Sequence, residues 1–169
     1  MTIRQRLDDV LERIARADAR CGGRPTKLVA VSKSQPASAI REAYDAGQRA
    51  FGENYVQELV AKSKELADLE IEWHFIGHLQ RNKVKDVLAV VRVVQSIDRA
   101  ALAQEASKRV THELTVFLEV NIASEPQKSG ADPTTLAALV EACSHSSWDT
   151  YCQTPPEGLS MGTSGYFIP

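Results

Sequence analysis

In "KLVAVSKSQP", residues 27 to 36, an unbroken apolar run ends on a lysine, Lys33. A primary amine at the end of a buried strand either reaches into a site or closes the strand as a solvated lysine, and this stretch alone leaves both readings open. Asn54 in "GEN" offers a side-chain amide at the end of a second apolar stretch. His74 alternates with Trp73 and Phe75, so its imidazole points to the opposite strand face, and a structural histidine is the plainer reading. His78 is four residues on, but Gly77 intervenes, so the two histidines do not share a face as a metal pair would. No metal site is expected. Lys128 in "QKSG" reads as a solvated loop lysine.

Composition narrows the class. The chain has 169 residues, 43% apolar and 25% charged, which suits one globular domain with a sizeable core. A net charge of −2 gives no positive field to gather nucleic acid or an anionic membrane, so neither is expected as a partner. Cys21, Cys143 and Cys152 are odd in number and lack C-x-x-C spacing, which fits reduced thiols in a cytoplasm better than disulfides or zinc. The N-terminal stretch interleaves Ile3, Leu7, Val10, Leu11 and Ile14 with charges, an amphipathic helix closed by Gly22 and Gly23 rather than a signal peptide or membrane span. The localisation expected is cytoplasmic.

The elements that must position these residues alternate. "KLVAVS", "RAFGEN", "IEWHFIG", "VVRVVQS" and "LTVFLEVN" read as strands. Each is followed by a helical stretch: "PASAIREAYDAG", "YVQELVAKSKELA", "RNKVKDVLA", "RAALAQEASKRV" and "PTTLAALVEAC". This is the pattern of βαβ units on a parallel sheet. No G-x-G-x-x-G follows the first strand and no P-loop occurs, so the nucleotide-binding open sheets gain no support. Polar residues close every strand instead: Lys33, Asn54, Gly77 with His78, Ser96, and Asn121. That pattern points to a barrel with its chemistry at the C-terminal strand ends. From about residue 144 the periodicity stops.

Six motifs then carry a resemblance in order along the chain: "LVAVSKSQP", "FGENYVQE", "WHFIGHLQRNK", "VVQSID", "LEVNIASEPQKSG" and "LSMGTSG". Together they resemble the pyridoxal phosphate homeostasis proteins, single-domain barrels like the N-terminal domain of alanine racemase. The resemblance implies an α/β fold, a TIM (β/α)8-type barrel truncated here to about five βα units and a fragment of a later one. Residues 1–143 would be the barrel portion that binds pyridoxal 5′-phosphate (PLP), 144–158 an irregular segment in place of missing units, and 159–169 a fragment of the phosphate-binding loop. Thr163 and Tyr166 depart from the family's usual methionine and aspartate.

By the same resemblance Lys33 holds PLP as a lysine imine (a Schiff base), Asn54 lines the cofactor, and Gly162 and Ser164 meet its phosphate. An imine needs a neutral amine, which lysine in water, with a pKa of ~10.4, rarely presents, so a shielded strand end would help. The implied role is intracellular PLP homeostasis without catalysis, with PLP-dependent apo-enzymes as candidate recipients. No catalytic residue is identified. The alternatives are a racemase-like PLP enzyme, for which the chain lacks a second acid/base and a substrate domain, and a truncated family member without function.

Overall fold

The computed structural model describes residues 1–23, 25–123, 125 and 127–144; Cys152, Gly162 and Ser164 lie outside them. Strands and helices alternate as the sequence pattern requires: α1 (Ile3–Arg20), β1 (Ala30–Val31), α2 (Ala37–Asp45), β2 (Ala50–Glu53), α3 (Val56–Glu65), β3 (Glu72–Phe75), α4 (Val84–Leu88), β4 (Val93–Ile97), α5 (Ala100–Arg109), β5 (Thr115–Leu118) and α6 (Leu136–Ser144). Among the described residues the strands form one five-stranded sheet in the order β1-β2-β3-β4-β5, so every neighbour in sequence is a neighbour in the sheet. β1 pairs with β2, and β4 with β5, in parallel. This is the arrangement of repeated βα units. The chain divides within β3 into two compact units, Met1–His74 and a second beginning at Phe75.

In the first unit, Thr2 caps α1 through a capping box with Gln5, and Gly22 and Gly23, at φ 85° and 75°, end it. The expected apolar stripe of α1 is only partly covered, because Leu7 is buried while Leu11 is 43% exposed. Ile40, Phe51, Leu59, Leu66 and Trp73 make the core here, with the Phe51 and Trp73 rings 6.2 Å apart.

The second unit is built on Phe75, Leu79, Val84, Val87, Val94, Ile97, Leu102 and Val116, each at most 2% exposed. β4 and β5 run in register from Val93 and Thr115, with an irregularity between Val94 and Ile97. Ser96 therefore lies inside β4 and is buried, not at the strand's polar end as its place in the motif suggested; Asp98 follows the strand instead. After β5, Val120 bridges to Ala131. Gly130 is required there, since it sits at φ 119° and a Cβ would fall 2.6 Å from the Asn121 nitrogen.

Candidate functional site

The first unit builds its candidate site from a turn. β1 ends at Val31, but Ser32 N–H still donates to Gly52 O, which keeps the next residue beside β2. Gln35 N–H then donates to Ser32 O at 3.0 Å, closing a four-residue turn with Lys33 and Ser34 at its corners. Pro36 follows and starts α2. Lys33 thus rides on a turn and not on the strand itself, so the strand does not set the amine's direction. The lysine is exposed, and its amine has no hydrogen bond or ion pair among the described residues.

Ser34 is the one described non-glycine residue in the left-handed region, at φ 60°. That conformation costs about 1–3 kcal/mol for a residue with a Cβ. Ser34 N–H donates to Glu58 Oε2 at 2.8 Å. A hydrogen bond to a carboxylate contributes about 1.5–3 kcal/mol, and with the Glu58 side chain 31% exposed the lower end applies. The bond is thus of the size needed to hold the turn.

Glu58 is itself held. Lys62, one turn later on α3, donates to Glu58 Oε2 at 2.7 Å, to Glu53 Oε1 at 2.8 Å and to Ser32 O at 2.8 Å, which uses all three of its protons. Glu53 is fully buried at the end of β2, and its Oε1 also accepts from Ser32 Oγ at 2.7 Å. Burial works against charge on Lys62, but its hydrogen bonds to Glu53 and Glu58 outweigh it and raise its pKa. Bonds from Lys62 and from Ser34 N–H hold Glu58 below the usual carboxylate range. Glu58 and Lys62 are therefore ionised at neutral pH. The network touches the first and third residues of the turn that carries Lys33, on either side of the lysine.

The β1–β2 register pairs Val31 with Gly52, and Lys33 and Asn54 each lie two residues further on. Sequence reasoning placed Lys33 after the first strand and Asn54 after the second; the paired register itself ends at Val31 and Gly52. Asn54 Oδ1 is buried and has no hydrogen-bond partner among the described residues, which leaves an acceptor open just past the end of β2. Neither Glu53 nor the Glu58–Lys62 pair was singled out from the sequence. One signal was available: Lys62 falls on the apolar stripe of α3 with Leu59 and Leu66, and a lysine on a buried stripe needs partners.

His74 is buried, with Nε2 donating to Glu72 Oε1 at 2.9 Å, and Lys27 binds the same carboxylate. This is a structural role. Burial outweighs the Glu72 contact and lowers the His74 pKa, so the folded protein takes up this proton later than the unfolded chain does. Its share of stability is complete above about pH 6.5, the unfolded value, and is lost as pH falls from there toward the folded pKa. His74→Gln, which keeps a donor toward Glu72 but does not titrate, flattens that part of the stability-versus-pH curve in chemical denaturation. An unchanged slope would contradict the assignment.

In the second unit, the strand ends carry His78, Asp98, Arg99 and Glu119. His78 Nδ1 is 3.8 Å from Asp98 Oδ2, and Arg99 donates to Asp98 Oδ1 at 2.6 Å. Burial first, and Asp98 second, push the Glu119 carboxyl up. Lys128 is exposed and bonded to Glu125 at 2.6 Å, in keeping with a solvated loop lysine. Cys21 is exposed and Cys143 buried. No helix among the described residues is long and apolar enough to cross a membrane.

Consecutive βα units on a parallel sheet, with a lysine on the turn after β1, define a β/α-barrel type of protein. The chain belongs to the alanine racemase N-terminal domain family, whose model matches residues 5–151. It is 44% identical over 146 residues to the pyridoxal phosphate homeostasis protein of Pseudomonas aeruginosa, covering 83% of this chain and 64% of the relative. The Aquifex aeolicus protein of the same name is 44% identical over 142 residues, with 81% and 62% covered. The chain thus spans less than two thirds of the length of these relatives. PipY of Synechococcus elongatus PCC7942, solved with PLP bound, is similar at 36% identity and a TM-score of 0.74, covering 94% of this chain and 73% of PipY. Alanine racemase from Corynebacterium glutamicum shares the fold at 16% identity and a TM-score of 0.60, covering 84% of this chain and 42% of the enzyme.

Proposed function

We propose that this chain binds PLP covalently at Lys33 and serves intracellular PLP homeostasis, without catalysis of its own. The observation that carries the reading is the exposed Lys33 on a turn held on either side of the lysine, at Ser32 and Ser34, in a chain of this family similar to PLP homeostasis proteins. When bound, PLP supplies an aldehyde that couples to a primary amine and withdraws electrons from it. Lys62 is a poor rival for that role because its ammonium is buried with all three protons engaged. The open acceptor Asn54 Oδ1 suits a cofactor rich in hydrogen-bonding groups. Gly162 and Ser164 are proposed for the phosphate, with residues 1–143 as the binding portion, 144–158 as an irregular segment and 159–169 as the remnant of a phosphate loop. Apo-enzymes that need PLP are the proposed recipients. Titration with PLP should produce a new absorbance band to the red of the free aldehyde, with saturation at one equivalent; a spectrum equal to the sum of protein and free PLP would refute the reading.

Alanine racemase shares the fold, which makes racemisation the activity to exclude. The second acid/base that such chemistry requires is not identified in this chain. Incubation of the PLP-loaded protein with L-alanine should therefore yield no D-alanine above the rate with free PLP. Steady turnover that disappears with Lys33→Ala would favour an enzyme instead.

A further inference from the structure

We infer that Glu58, fixed by Lys62, is a positioning residue that sets the direction of the Lys33 amine through the backbone of Ser34; this role rests on Lys33 being the site of PLP attachment. The Lys33 amine has no hydrogen bond or ion pair among the described residues that could orient it, so its direction is inherited from the turn beneath it. Two groups outside the turn hold that turn. Lys62 binds the carbonyl at its first residue, Ser32, and Glu58 binds the N–H of its third, Ser34. Because Ser34 is left-handed, release of its N–H lets the backbone relax to a conformation that suits serine better, and the peptide carrying Lys33 rotates with it. The turn starts one residue past the last paired position, Val31 with Gly52, so nothing in the strand ladder holds Lys33 once the turn relaxes. Glu53 fixes the other side of Lys62 and Ser32, so the lysine cannot move away without stranding a buried carboxylate.

Glu58 thus acts on attachment without touching the cofactor, and its substitution separates geometry from folding. Glu58→Ala should weaken PLP binding by roughly tenfold, the loss of one hydrogen bond to a charged group. It should also speed hydrogen exchange at the Ser34 amide in the PLP-free protein by at least a similar factor, while amides in β2 and α3 keep their protection. Glu58→Gln still offers an oxygen to Ser34 N–H and should recover most of both. If Glu58→Ala accelerates Ser34 exchange but leaves PLP affinity unchanged, or if Ser34 exchange does not change at all, the positioning role is wrong while the assignment of Lys33 stands. If the unaltered protein attaches no PLP at Lys33, the assignment fails and takes this role with it. Glycine is at ease at φ 60°, so Ser34→Gly on the Glu58→Ala background should restore affinity in part if turn geometry is what was lost. No restoration by either glycine or glutamine would overturn the inference.

Discussion

Lys33→Ala is expected to abolish the PLP absorbance band and to lower PLP affinity by at least roughly a hundredfold, since the covalent link is replaced by polar contacts alone. The fold should survive. Lys33 is exposed and its amine has no hydrogen bond or ion pair among the described residues, so its truncation leaves no buried partner uncompensated. The variant therefore separates attachment from stability: a lost band with an unchanged unfolding midpoint is the expected pair of results. A band that persists in Lys33→Ala and vanishes in Lys128→Ala would place the attachment elsewhere. Lys128 is disfavoured because its amine is already paired with Glu125.

The largest effect on stability is expected at Lys62. Lys62→Met removes the partner of a carboxylate, Glu53, that has no exposed surface, and breaking a buried pair in this way costs about 3–5 kcal/mol. Glu58, being partly exposed, can turn to water, whereas Glu53 keeps only the Ser32 hydroxyl. Combining Lys62→Met with Glu53→Gln removes the stranded charge and should recover part of the loss. Denaturant unfolding measures both. A Lys62→Met midpoint within error of the unaltered protein would show that the network is not buried in solution as described.

The order of elements was readable because the βα alternation depends only on periodicity and on breakers such as Pro36 and Gly47, which end or start helices wherever they fall. Boundaries were less so. "KLVAVS" reads as a six-residue strand, yet only Ala30 and Val31 form one, since pairing partners and not β propensity decide where a ladder stops. Ser96 illustrates the same limit at the other end of a strand: the pattern placed it at the strand's polar end, and the β4–β5 ladder runs past it to Ile97. Lys33 and Asn54 were legible as residues just past consecutive strands, though not that Lys33 sits on a turn. The network beneath them was not, because Glu53, Glu58, Lys62 and Ser32 look in sequence like ordinary surface polar residues, and only the placement of Lys62 on the inner stripe of α3 brings them together. The positive φ of Ser34 was likewise invisible, since serine gives no sign of a left-handed turn in the way glycine does.

The central claim is that PLP is carried by Lys33, and chemical trapping tests it most directly. The protein is mixed with one equivalent of PLP, reduced with borohydride to make the link permanent, digested, and its peptides are sequenced by mass spectrometry. The account predicts a single phosphopyridoxyl group on Lys33, in the peptide that contains "LVAVSKSQP". Modification of another lysine in its place, or a scatter of low-level modification over the exposed lysines equal to that of an unrelated protein, would contradict it.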